Sequence, residues 1–301
     1  LPFASKNEGV MHACGHDGHM SILLGAAAVL NEMKDQIHGT VKIVFQPAEE
    51  EAAIGGGRHI AASGKLDDVS EIYGLHVWPE LPTGQVGLKP GALMAASDRF
   101  YVHIKGKSTH AAQPHNGTDA LVAAAHFIID VQSLISREMN PMDNVVCTIG
   151  LMNAGTRYNV GVEDAYLEGT CRTYRPELRD KMEARLGEIL KGLDVMFHTH
   201  SELNYVRGHS ATINTPEKID FLKKVGKAYL GEEHITEPEF PSMCAEDFSS
   251  YLEKFPGAFF WLGTGDGNTP ALHNASFAIN ESILPLGITL EAAAALEALS
   301  R

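Results

Sequence analysis

Within nine residues, Met11-His12-Ala13-Cys14-Gly15-His16-Asp17-Gly18-His19, the chain sets one thiol, three imidazoles and one carboxylate ahead of an apolar stretch from Ser21 to Leu30. Nowhere else does it concentrate so many potential metal ligands. A Cys-x-His pair beside glycines suits a metal site at a strand-to-helix turn, where glycine lets the backbone bend sharply and approach an ion. Taken alone, the cluster is equally compatible with a thiol nucleophile and its base, or with a polar turn.

Three further segments bear on that choice. Phe45-Gln46-Pro47-Ala48-Glu49-Glu50-Glu51 carries adjacent carboxylates after an apolar run. Such charges repel one another unless a cation or solvent separates them. One can bind a metal while its neighbour holds a water as general base. His76 lies inside the apolar run Ile72-Tyr73-Gly74-Leu75-His76-Val77-Trp78, and His273 follows the glycine-rich segment Gly263-Thr264-Gly265-Asp266-Gly267. Singly, each is as well read as a core or loop histidine. Together, Cys14, His16, Glu50, His76 and His273 form a ligand set that leaves Glu49 free. Five ligands exceed what one tetrahedral zinc needs and point to two divalent ions sharing a water. The single-zinc helix signature His-Glu-x-x-His is absent.

The middle of the chain adds polar residues of its own. Ser108-Thr109-His110-Ala111-Ala112-Gln113-Pro114-His115 directly follows a strand pattern, Asn159 lies in the Gly155–Asp164 connection, and Arg172 lies in Gly169-Thr170-Cys171-Arg172-Thr173-Tyr174. A fixed guanidinium can clamp a carboxylate bidentately, and a surface strand arginine is the plainer alternative. Cys147 and Cys171 fall in apolar strand patterns and read as core. Glu246 and Asp247 read as helix N-terminal charges or as partners of a ligating histidine.

The elements that must position these residues follow from periodicity. Helices are expected over Asp17–Gln36, from Gly55-Gly56-Gly57 onward, and over Pro216–Leu230, Asp247–Lys254 and Pro285–Leu299. Strands are expected over Thr40–Phe45, Glu71–Trp78 and Ala258–Gly263. The alternation predicts an α/β fold with a helix-covered, largely parallel sheet. Between about 97 and 208 the order becomes strand Arg99–Lys105, helix Thr118–Ile135, strands Asn144–Met152 and Asp164–Tyr174, helix Glu177–Leu193 and strand Val195–Val206, the ferredoxin-like β-α-β-β-α-β pattern. The expected organisation is a catalytic domain in two segments, 1–96 and 209–301, interrupted by an α+β domain at 97–208.

The 301 residues, 44% hydrophobic, suffice for two cores. A net charge of −14 argues against nucleic acid or an anionic membrane as partner. No apolar run of transmembrane length and no signal peptide is read. The four cysteines (Cys14, Cys147, Cys171, Cys244) form no CxxC pair, which favours a reducing, cytoplasmic setting. The chain opens on Leu1-Pro2-Phe3 and reaches its densest polar cluster within twenty residues, so an upstream part of the catalytic domain is expected to be missing.

Met11–His19, Phe45–Glu50, Gly74–Val77, Lys105–Pro114, Gly155–Val160 with Arg172, Glu246-Asp247-Phe248 and His273 occur in an order that resembles the aminoacylase, hippurate hydrolase and auxin-amide hydrolase family of co-catalytic metallopeptidases. The resemblance runs over essentially the whole chain. It implies hydrolysis of small N-acyl amino acids at a centre of two divalent ions (zinc, manganese or cobalt), and a homodimer formed through a ferredoxin-like lid. Carried over residue by residue, Cys14, His16, Glu50, His76 and His273 would be the ligands and Glu49 the general base. His110 would polarise the scissile carbonyl, often from the other subunit, and Asn159 and Arg172 would bind the substrate carboxylate. The chain departs from the family pattern at Gly161-Val162, where Ile-Pro is usual, and at Cys244-Ala245, where two glycines are usual. Alternative readings are a dipeptidase or carboxypeptidase of the same clan, a thiol hydrolase built on Cys14, and a non-catalytic metal-binding relative. His12, His19 and Cys244 receive no role.

Overall fold

A computed structural model describes residues 3–51 and 55–300. Leu1, Pro2 and Arg301, at the outer ends of the expected catalytic segments, lie outside the described residues, as do positions 52–54. The chain divides into two compact units, one of Leu1–Leu93, Ile213–Pro241 and Asp247–Arg301, the other of Met94–Thr212 and Ser242–Glu246.

The first unit is built on a four-stranded sheet in the order Ile72–Pro82, Gly257–Gly265, Val86–Gly87, Ile235–Thr236. Ile72–Pro82 runs parallel to Gly257–Gly265, with His76 opposite Trp261. Val86–Gly87 runs antiparallel to Gly257–Gly265 and parallel to Ile235–Thr236. The sheet is therefore largely parallel, with one short antiparallel pairing at Val86–Gly87. The cause is local: the chain turns tightly after Pro82, with Gln85 N–H donating to the Pro82 carbonyl at 3.0 Å, and re-enters the sheet reversed. Every residue of Gly257–Gly265 is buried, as expected of a central strand read as a continuous apolar run. Helices His16–Glu32, Pro216–Tyr229 and Leu284–Leu299 supply Ile22, Ile219, Leu222, Val225, Leu290 and Ala293 to the core over this sheet. Ala26, Leu30 and Ala292 form a small cluster where the first and last of these helices meet.

Two expected elements differ. Thr40–Phe45 is not a strand, because no described strand offers it a hydrogen-bonding ladder. Its apolar residues act singly: Val41 packs on the Ala26–Leu30–Ala292 cluster and Val44 on Ala61, Leu66, Tyr251 and Phe255, while Phe45 is exposed. The helix expected over Asp247–Lys254 shrinks to Ser249–Leu252.

The second unit has the β-α-β-β-α-β order. Its sheet runs Val145–Ala154, Asp164–Thr173, Ala96–Lys105, His200–Arg207, all antiparallel. Helices Ala120–Ser133 and Pro176–Phe197 cover one face, where Phe100, Val102, Ile104, Leu167, Phe127, Met182 and Leu186 are buried. The last strand starts later than expected because the helix persists to Phe197 and ends on His198 at φ +56°. A buried ion pair closes one end of this core. Arg179 Nε donates to both Asp98 oxygens at 3.0 and 2.9 Å, and Asp98 also accepts from Tyr205 Oη at 2.8 Å and Gly208 N at 3.1 Å.

Two nineteen-residue stretches, Ala120–Glu138 and Glu281–Leu299, do reach membrane-spanning length and apolarity, contrary to expectation. Both place apolar residues in a core, Phe127 and Val131 in one and Leu290 and Ala293 in the other. Glu291 interrupts the second, and burial pushes its carboxyl up to about 7. Because folding raises this group above its ordinary value, its contribution to stability is present at low pH and is lost as pH rises through about 7. Glu291→Gln should therefore flatten the loss of thermal stability between about pH 5 and pH 8. An unchanged slope would show that this carboxylate meets water in the folded state.

Candidate metal centre

The polar cluster is assembled by three segments of the first unit around the middle of the Ile72–Pro82 strand. Helix His16–Glu32 begins directly after Gly15, whose φ of +83° and position against Val77 admit no side chain; a Cβ there would lie 2.3 Å from Val77 Cγ2. That close approach sets the Cys14 thiol, itself 8% exposed, 3.4 Å from His76 Nε2.

Two histidines share the backbone of Val77. His76 Nδ1 lies 2.6 Å from the Val77 carbonyl, which can only accept, so Nδ1 carries the proton and Nε2 presents its lone pair toward Cys14. His19 Nε2 accepts the Val77 N–H at 2.9 Å. His19 is thus tied up in holding the strand that presents His76, a role its sequence neighbourhood gave no sign of. Burial lowers His76 to about 4 and lowers His16 and His19 as well, so these rings stay neutral near pH 7 with a lone pair each. His12 is exposed.

The acidic segment reaches the cluster through a turn with Ala48 at φ +62°. Glu49 Oε2 and Glu50 Oε1 lie 3.6 and 3.8 Å from His16 Nε2. Gln46 anchors this turn: its amide donates to both oxygens of buried Asp247 at 2.7 and 2.8 Å, and its Oε1 accepts from Tyr251 Oη at 2.7 Å. Asp247 also accepts from Gly57 N at 2.9 Å. Gly56 lies so close beneath Pro47 that a Cβ would sit 1.8 Å from the Pro47 carbonyl oxygen. The glycine run is thus needed for contact with the acidic turn as well as for opening its helix. Asp247 thus pairs with Gln46 and Gly57.

His273 completes the group from the other side of the chain. Its backbone is left-handed at φ +63°, its N–H donates to the Ala13 carbonyl at 2.7 Å, and its Nε2 lies 3.3 Å from both Cys14 Sγ and Glu50 Oε1. A non-glycine residue held in that region is costly and marks a place where the surroundings dictate the backbone.

All six residues expected at the centre are therefore together. Donor atoms of Cys14, His16 and His76 lie within 4.8 Å of one another, as do those of Cys14, Glu50 and His273, and of His16, Glu49 and Glu50. One thiol, three imidazoles and carboxylates in overlapping triads, two of which share Cys14, are a donor set suited to two adjacent borderline cations. Burial, then the charges of Glu50 and Asp247, push the Glu49 carboxyl up to about 8. Nearby cations would act in the opposite sense.

The remaining expected residues lie in the second unit. His110 pairs with Val160 in a two-stranded ribbon, and the Asn159 carbonyl accepts from Ala111 N at 3.1 Å, so His110 and Asn159 are neighbours. Arg172 is not with them. It lies toward the far end of the Asp164–Thr173 strand, roughly 26 Å along at ~3.3 Å per residue, where its Nη1 donates to the Thr170 hydroxyl and, at 3.1 Å, to the Cys171 carbonyl.

Residues 1–297 match the family described as peptidase family M20/M25/M40. The N-acetyl-L-cysteine deacetylase of Bacillus subtilis (strain 168) is 38% identical over 284 residues, covering 94% of this chain and 67% of the relative. The N-acetyldiaminopimelate deacetylase of Listeria monocytogenes serotype 4a (strain HCC23) is 39% identical over 298 residues, covering 96% of this chain and 76% of the relative. Among solved structures, a dinuclear metal-binding peptidase of the M20 family from Bacillus subtilis superposes with a TM-score of 0.86 at 34% identity, covering 99% of this chain and 76% of that one. The chain belongs to peptidase family M20/M25/M40 and is a hydrolase of amide bonds.

Proposed function

We propose that this protein is a two-metal amidohydrolase that removes the acyl group from N-acyl amino acids, with Cys14, His16, Glu50, His76 and His273 holding zinc, manganese or cobalt. The observation that carries the reading is the pair of donor triads sharing Cys14, with Glu49 beside them. The deacetylase names of the relatives support the substrate class. When bound, the ions supply Lewis acidity that makes water a nucleophile near neutral pH.

The chain's own residues do the rest. Glu49 removes the proton of the attacking water and delivers it to the departing amine nitrogen. Arg172 pairs with the free carboxylate of the amino acid and sets the position of the scissile bond. His110 donates a hydrogen bond to the oxygen of that bond as charge develops on it, and Asn159 assists at the carboxylate.

His110 and Arg172 are too far apart within the second unit to touch one N-acyl amino acid together. That separation supports a homodimer in which the second unit acts as the lid and His110 and Asn159 serve the partner's site. Four free thiols favour a reducing, cytoplasmic location.

The substrate reading is tested by Arg172→Ala assayed on N-acetyl-L-cysteine and on its methyl ester. Losing a charge-assisted pair of about 1.5–3 kcal/mol should lower kcat/KM for the acid roughly 10- to 150-fold, with little effect on the ester. Equal losses on both substrates would remove Arg172 from carboxylate recognition. Cleavage of dipeptides with N-acyl amino acids left intact would make the enzyme a dipeptidase.

A further inference from the structure

Cys147 and Cys171 take no part in the chemistry above. They are register partners on the antiparallel strands Val145–Ala154 and Asp164–Thr173, and their sulfurs lie 3.5 Å apart. Both are free thiols. Opposed residues of an antiparallel pair have Cα atoms about 4.5 or 5.5 Å apart. Both spacings fall inside the window of about 4.4–6.8 Å that disulfides occupy. Closing to an S–S distance of about 2.05 Å thus asks for side-chain rotation and no change of strand pairing. Cys147 is half-buried on an edge strand whose register slips between Ile149 and Leu151, and Cys171 is 1% exposed. Cys147 is the more exposed of the two.

We propose that Cys147 and Cys171 form a modification site, a cross-strand dithiol that a peroxide converts into an intramolecular disulfide. Cys147, as thiolate, attacks one peroxide oxygen; the O–O bond breaks, a sulfenic acid forms and hydroxide leaves, to be protonated to water. The Cys171 thiolate then attacks the Cys147 sulfur; the S–S bond forms, the S–O bond breaks, and the departing hydroxide becomes a second water. Overall, two thiols and one hydrogen peroxide give one disulfide and two waters, the sulfurs losing the two electrons that the peroxide oxygens gain. The hydrogen bond with Cys171, and then burial, push the Cys147 thiol up, which makes the first step slower than at an exposed thiol. Cys244 is exposed and is the natural competitor.

The test uses the full chain carrying Cys244→Ser, treated with hydrogen peroxide, then denatured, alkylated with iodoacetamide and mapped by non-reducing peptide mass spectrometry. The expected product is one cross-linked peptide pair containing Cys147 and Cys171, lighter by two hydrogens than the sum of its parts and released by dithiothreitol. It should vanish in Cys147→Ser and in Cys171→Ser. Thermal unfolding of both variants shows whether they are folded, and Cys147→Ser, at the half-buried position, keeps the test valid if Cys171→Ser is not. Recovery of both cysteines alkylated, or their appearance only as sulfinic acids or in links between chains, would overturn the proposal.

Discussion

Glu49→Gln should lower kcat about 10²–10⁴-fold on N-acyl amino acids while KM and metal content stay near those of the parent. The amide keeps the size and polarity of the carboxylate but cannot take up a proton. The same change should abolish the acidic limb of the rate–pH profile, since that limb reports protonation of the base. The position of Glu49 makes the effect specific. It lies 3.6 Å from His16 on a turn fixed by Gln46, Asp247 and Tyr251, and two other carboxylates help burial to raise it. Glu50→Gln should behave differently, losing bound metal together with activity, because Glu50 lies in a triad with Cys14 and His273. Near-normal turnover in metal-loaded Glu49→Gln would remove Glu49 from the role of base.

Asp98→Ala should destabilise the second unit by about 3–5 kcal/mol, enough to unfold much of it at ordinary temperature. Asp98 is 1% exposed and accepts from Arg179, Tyr205 and Gly208. Its loss strands a guanidinium that is itself 9% exposed. The size of the effect comes from the uncompensated charge more than from the worth of the pair. Replacing both partners, as in Asp98→Leu with Arg179→Met, should therefore recover most of the stability. Urea denaturation of the parent, Asp98→Ala and the double variant checks this. A double variant as unstable as Asp98→Ala would mean that the hydrogen bonds of Tyr205 and Gly208 to the carboxylate carry the stability instead.

Residue type and order made the metal centre legible, because thiols, imidazoles and adjacent carboxylates are rarely needed by a packed core. Cys14 with His16, Glu50, His76 and His273 come from four separate segments of the chain and converge. The supports were harder to read. His19 carries no mark of its role in the sequence, and its bond to Val77 exists only because the strand passes beside it. Asp247, open in the sequence to being a helix N-terminal charge or a histidine's partner, holds Gln46 across 201 positions of chain. The second unit was readable in order because each element has its own periodicity and a short connection. Thr40–Phe45 misled because apolar alternation reports which side chains can be buried, while a strand also needs a neighbour for its N–H and C=O groups. The direction of Val86–Gly87 depends on one tight turn, which periodicity does not encode.

The claim that this chain is a two-metal amidohydrolase is tested most directly by hydrolysis of N-acetyl-L-cysteine as divalent metal is returned to chelated protein. Activity should rise with metal bound and level off at two ions per chain, and it should be lost again with chelator. Hydrolysis by the metal-free protein that thiol alkylation abolishes, or no hydrolysis of any N-acyl amino acid at full metal occupancy, would contradict it.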